Sequence, residues 1–110
     1  MSVARPLTGL MVKTEINALR RLHGMLEHDG VRSREEFRDM MVAAFTHGRL
    51  ELRELADDLG YAYSTVFRWL EGRSAPHSSL WPRIVAWIVS ALERKIATIE
   101  QNLQEIGTFA

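Results

Sequence analysis

Apolar residues recur every three or four positions along most of the chain, which is the spacing of one face of an α-helix. The first such stripe consists of Val12, Ile16, Leu19, His23 and Leu26. It predicts a helix over about 14–28, with Gly30 as the C-terminal stop. Few runs of β-branched residues alternate with polar ones, as half-buried strands do. The pattern therefore predicts an all-α protein.

A second helix is predicted from a capping signal in the sequence SREE. The Ser33 hydroxyl can accept a hydrogen bond from the first turn, and Glu36 can reach back to the Ser33 amide. Gly48 is expected to end this helix. Its predicted apolar face consists of Phe37, Met40, Met41, Ala44 and Phe45.

Two short helices are predicted next, over about 51–59 and 63–71. Gly60 allows the left-handed turn that stops the first helix, and Gly72 ends the second. The residues expected to face inward are Leu52, Leu55, Ala56 and Leu59 on the first helix and Val66, Trp69 and Leu70 on the second.

A long last helix is predicted to start with Ser78 or Ser79 as its cap and to continue to Gly107, with Pro82 tolerated in the first turn. Apolar residues along this helix are spaced alternately four and three positions apart. This is an unbroken heptad stripe, which predicts a homodimer interface. The alternatives are packing against the first helix in one chain, or a four-helix core made by both helices of two chains. The predicted interface consists of Val85, Val89, Leu92, Ile96, Ile99, Leu103 and Ile106.

Composition narrows the class of protein. The 110 residues contain no Cys and have a formal net charge of zero, which excludes disulfides and argues against coating nucleic acid through bulk charge. No apolar run has membrane-spanning length and no signal peptide is evident, so a cytoplasmic location is expected. The four His lack metal-ligand spacing, and no phosphate loop or nucleophile elbow occurs. We therefore expect no enzyme activity, cofactor, metal or small-molecule substrate.

The sequence ELADDLGYAYSTVFRWLEG, residues 54–72, resembles the lambda-repressor/Cro-type (XRE-like) helix-turn-helix family. The family's positions are filled here by Leu55, Ala56, Gly60, Ala62, Ser64, Val66, Trp69, Gly72 and Pro76. The resemblance implies a recognition helix over about 63–71 that enters the major groove of double-stranded DNA. The implied base-reading residues are Tyr63, Ser64, Thr65, Phe67 and Arg68, and the implied phosphate contacts are Arg49, Arg53, Arg73, Ser74, His77 and Ser78.

Three parts of the chain are expected: an N-terminal helical part over 1–32, a helix-turn-helix domain over 33–84 and a dimerisation helix over 85–110. The predicted function is a transcriptional regulator, such as a repressor, that binds an inverted-repeat operator as a homodimer. The alternative is a helix-turn-helix-fold adaptor or antitoxin-like protein that uses Tyr63, Phe67 and Trp81 against another protein. Neutral net charge, exposed Phe67, and Leu52 where the family often has a polar amide favour that alternative.

Overall fold

The computed structural model describes the backbone of residues 4–109 and the side chains of residues 13–105. Within this part the protein is entirely helical, which confirms the all-α prediction. The five α-helices are α1 (Ala4–His28), α2 (Arg34–Val42), α3 (Leu52–Leu59), α4 (Tyr63–Glu71) and α5 (Trp81–Phe109). A π-helical turn, Ala43–His47, continues α2, and a 3₁₀ turn, Ser78–Leu80, precedes α5.

Both long helices extend further than the sequence pattern predicts. α1 begins at Ala4 rather than near residue 14, because Pro6 lies in its first turn, where a missing N–H costs no hydrogen bond. α5 passes through Gly107 and ends at Phe109. A glycine lowers helix stability by only about 1 kcal/mol, so it does not by itself stop a long helix.

At the N-terminal end of α2, one of the two hydrogen bonds differs from the predicted capping box. The Ser33 hydroxyl accepts from the Glu36 amide at 3.1 Å, as expected. The Glu36 carboxylate, however, accepts from the Arg32 amide at 3.3 Å instead of the Ser33 amide. At the C-terminal end, the Gly48 amide donates to the Ala43 carbonyl at 2.7 Å, which widens the last turn into a π-helix. A Cβ at position 48 would lie 2.7 Å from the Ala44 oxygen, so only glycine fits there.

The start of α5 is also organised differently from the prediction. The predicted caps were Ser78 or Ser79, but the imidazole of His77 caps the 3₁₀ turn, Ser78–Leu80, that precedes α5. Its Nδ1 accepts from the Ser79 amide at 3.1 Å and lies 2.9 Å from the Ser79 hydroxyl. A histidine ring can accept through its unprotonated nitrogen, which the sequence motif for helix caps does not consider.

One hydrophobic core joins all five α-helices and crosses both predicted boundaries, at 32/33 and 84/85. Leu19 and Leu26 of α1 and Ile88 and Leu92 of α5 belong to the same cluster as Phe37 of α2. The α5 side chains Ile84, Ile88 and Leu92 are at most 1% exposed, so the first half of this helix is part of the core.

α1 and α5 lie side by side in the same chain and are joined by ion pairs. Arg20 pairs with Glu100, and the Lys95 ammonium lies 3.8 Å from Glu15. Lys95 also donates to the Gly48 carbonyl at 2.6 Å. In a parallel dimer, the heptad positions of Lys95 and Glu100 would let the two charges attract across the seam, but both have partners within one chain.

Glycine 72 provides a test of the close packing between α4 and α2. Its φ is +79°, and a Cβ there would lie 2.5 Å from Nε of Arg38. We expect Gly72→Ala to lower the free energy of unfolding by about 1–2 kcal/mol, because the left-handed conformation disfavours a side chain and Arg38 must move. Gly24→Ala is the matched control: it lies within α1 with no atom within 4 Å, so alanine should stabilise by about 0.5–1 kcal/mol. Urea denaturation of both variants measures the difference, and equal effects would contradict this account.

Candidate nucleic-acid interface

α3 and α4 are two short helices joined by a tight turn. Gly60 has a φ of +77°, and the Tyr61 amide donates back to the Ala56 carbonyl at 2.9 Å, which closes the end of α3. α4 is held from its inner side by Val66, which has no exposure, and by Trp69, which is 4% exposed. The Trp69 ring lies edge-on to Tyr61 at 5.0 Å and to Phe37 at 6.2 Å. These contacts fix which face of α4 points outward.

The outward face of α4 carries two adjacent rows of side chains. One row is aromatic: Tyr63 and Phe67 are 41% and 40% exposed, and their rings stack at 6.0 Å. The other row contains Ser64 and Arg68, which are both exposed. Thr65, also predicted to read bases, is half-buried. The ion pairs among residues 13–105 do not include Arg68, so its guanidinium is not neutralised by a carboxylate there.

Arg53 of α3 lies against the start of α4. Its guanidinium carbon is 4.6 Å from the centre of the Tyr63 ring, a cation–π contact that places a positive charge at the helix N-terminus. α4 begins after Ala62, which has no polar side chain to cap it, and α3 begins after Glu51, whose side chain makes no capping bond. Uncapped helix N-termini offer N–H groups and partial positive charge to an anion.

The other predicted phosphate contacts are in different environments. Arg49 is exposed on a left-handed residue with φ of +55°. Nε of Arg73 lies 3.4 Å from Glu71, so its charge is partly neutralised. Ser74 is half-buried, and His77 has one ring nitrogen engaged by Ser79. Ser78 is exposed.

Two arginines that the sequence analysis did not select lie near the end of α4. Arg34 and Arg38 line a groove of about 270 Å³ together with Gly72 and Ser74. Their spacing of four residues places them on one face of α2, which was the available signal. They were missed because only the contact between α2 and the loop after α4 brings them beside Ser74.

The predicted dimer stripe on α5 divides into two groups. Leu92 and Ile96 are 0% and 9% exposed within one chain, so these two residues are covered by the protein's own core. The half-buried members are Val85, Val89, Ile99 and Leu103. Ile106 lies outside the described side chains. The sequence spacing identified an apolar face correctly, but α1 covers part of it.

A histidine and two glutamates meet between α1 and α5. Nε2 of His23 lies 2.9 Å from Glu93, and Nδ1 lies 3.7 Å from Glu27. No local spacing in the sequence reveals this group, because Glu93 lies 70 residues from His23. His23 was predicted as a core or interface residue and is half-buried here. Exposed carboxylates are common on helices, so we interpret this group as a polar link between the two helices.

Length and hydropathy distinguish these helices from membrane spans. Among the described residues, every helix is too short or too polar to pass through a lipid bilayer. A helical fold does not by itself indicate a function, so the evidence for one comes from the α4 surface and the residues beside it. Comparison with protein-family models, with curated proteins and with solved structures finds no match for this chain.

Proposed function

We propose that this protein is a sequence-specific DNA-binding regulator of the lambda-repressor/Cro-type (XRE-like) helix-turn-helix class, with α4 as its recognition helix. The observation that carries the proposal is the outward face of α4. Val66 and Trp69 anchor the helix from behind, and Ser64 and Arg68 remain exposed on the opposite side. An arginine in that position can donate two hydrogen bonds to one guanine in the major groove.

The surroundings of α4 support contacts to the phosphate backbone. Arg53 lies beside the uncapped start of α4, and Arg34 and Arg38 lie near its other end. Positive charge at both ends of a helix suits two phosphates that flank a groove. The zero net charge of the whole chain does not prevent such contacts. Salt screens distant charges, so a phosphate responds mainly to the charges near it.

A homodimer is the second part of the proposal. Ile99 and Leu103 are only half-buried by α1, and a groove of about 350 Å³ beside Leu103 is open to solvent. The groove runs between α1 and α5, so these two helices leave part of the apolar stripe uncovered. A second copy that supplies its own α1 and α5 would complete a four-helix core, and it would present two α4 helices to an inverted repeat.

A protein-interaction adaptor is the competing function. The exposed Tyr63 and Phe67 rings favour it, since aromatic residues are enriched at protein interfaces. Trp81, the third aromatic residue of that hypothesis, stacks on Phe37 at 5.8 Å and donates to the Pro76 carbonyl, so its contacts lie within the chain. The DNA function gives a role to Arg68 and Arg53 as well as to both rings, and we therefore prefer it.

Selection of bound duplexes from a random library, followed by titration of two variants, tests the proposed function. Arg68→Ala should weaken the selected duplex by about 1–3 kcal/mol per half-site and leave random DNA unaffected, because it removes a base contact. Arg53→Ala should weaken all sequences alike and lower the slope of log affinity against log salt by about one. If no duplex is enriched, or neither variant changes binding, the DNA function is wrong and the adaptor function gains support.

A further inference from the structure

The aromatic row on α4 consists of Tyr63 and Phe67. Aromatic side chains are unusual on a surface that contacts base edges, because these edges present mainly hydrogen-bond donors and acceptors. Both rings are about two-fifths exposed, and they stack on each other with an interplanar angle of 29°. Arg53 covers part of the Tyr63 ring at 4.6 Å. Arg53 and Phe67 therefore occupy part of the surroundings of the Tyr63 ring, and the exposed two-fifths of each aromatic side chain is open to a ligand.

Base pairs differ in what they offer such edges. In the major groove, each pair presents hydrogen-bond donors and acceptors, and thymine alone adds an apolar group, its C5 methyl. Except at the Tyr63 hydroxyl, which can itself form a hydrogen bond, an aromatic edge placed against a donor or acceptor removes water from it without replacing the hydrogen bond, which is unfavourable. Placed against a methyl group, the same edge buries apolar surface on both sides.

Resting on the DNA function proposed above, we propose that Tyr63 and Phe67 read the C5 methyl groups of two neighbouring thymines in each half-site. The ring centres are 6.0 Å apart, which lies between one and two base-pair rises of about 3.4 Å. When this separation runs along the groove, the two rings reach different base pairs. The adjacent row places Arg68 one residue beyond Phe67, so the guanine that it reads lies beside the thymines.

This geometry also distinguishes duplex reading from single-strand binding. Proteins that bind single strands offer open aromatic faces on which bases stack. The Tyr63 ring has Arg53 at 4.6 Å and Phe67 at 6.0 Å as neighbours, so a base has little room to stack on it. Contact through ring edges suits methyl groups that project into a groove.

Replacing thymine by uracil in the selected duplex tests the inference, because uracil keeps the base pair and removes only the methyl group. We expect affinity to fall about three- to fivefold for each methyl removed at the two predicted positions, from the transfer free energy of one methyl group. Uracil at thymines outside the half-sites is the matched control and should have no effect. In Phe67→Ala, uracil should cease to weaken binding at one of the two positions and should still weaken it at the other, which Tyr63 reads, with circular dichroism confirming that the variant remains folded.

The outcomes separate this inference from the function on which it rests. Selected duplexes without adjacent thymines, or equal affinity for thymine and uracil duplexes, would overturn the methyl reading while the DNA function stands. Failure to enrich any duplex would overturn both. A loss with uracil that persists unchanged at both positions in Phe67→Ala would assign the methyl contact of Phe67 to another residue and overturn the role of the aromatic row.

Discussion

Replacing Phe37 with alanine is expected to lower the free energy of unfolding by about 3–5 kcal/mol. Phe37 is 1% exposed, stacks on Trp81 at 5.8 Å and lies edge-on to Trp69 at 6.2 Å. The ring therefore joins α2, α4 and α5 in one contact. Removing it leaves a cavity at the point where these three helices meet, and a domain of this size has only about 5–15 kcal/mol of stability.

Phe67→Ala is the matched control for this prediction, since it makes the same chemical change on the same type of side chain. Phe67 is 40% exposed on α4, so its loss should change stability by less than about 0.5 kcal/mol. Urea denaturation followed by tryptophan fluorescence measures both variants, because Trp69 and Trp81 lie against Phe37. Similar stability of the two variants would show that the core is not organised around Phe37.

Replacing Leu103 with glutamate is expected to convert the proposed homodimer into a monomer and to lower affinity for an inverted repeat by about 10²- to 10⁴-fold. That factor is the advantage of linking two binding sites in one molecule. Leu103 is half-buried and lines a groove that is open to solvent and contains Lys13, so a carboxylate there stays hydrated near a cation and the single chain should remain folded. In a four-helix core, two such carboxylates would be removed from water close together, which is strongly unfavourable.

Asn102→Glu provides the control, because it introduces the same charge at the neighbouring, exposed position of α5. Sedimentation velocity should give a dimer for the wild type and for Asn102→Glu, and a monomer for Leu103→Glu. Binding to a duplex with a single half-site should be equal for all three proteins. A monomeric wild type, or a Leu103→Glu dimer, would refute α5 as the dimer interface.

The sequence predicted the short helices closely and the long ones less well. α3 and α4 begin and end within one residue of their predicted limits, because Gly60 and Gly72 adopt left-handed conformations that stop each helix locally. Such signals depend on a few neighbouring residues and can be read from the sequence. The start of α1 and the end of α5 lack strong local signals, and the 3₁₀ turn before α5 is capped by a histidine, which is outside the usual capping residues.

The apolar stripe of α5 could be predicted from the sequence, but the surface that covers it could not. Its spacing specified an apolar face, but the same spacing results whether the partner is α1 or another chain. The structure places Leu92 and Ile96 against the core of one chain, and it uses Lys95 and Glu100 for contacts inside that chain. The contact between Arg53 and Tyr63 likewise joins two helices, so no local pattern predicts it.

The sequence by itself determined the all-α class, the limits of α3 and α4, and the inward position of Val66 and Trp69, because helix periodicity and glycine stops act over a few residues. Only the tertiary structure decided which apolar helix faces pack against each other, that His23 contacts Glu93, and which arginines lie near α4. These contacts join residues tens of positions apart. Their geometry depends on how whole helices pack, which a one-dimensional pattern does not contain.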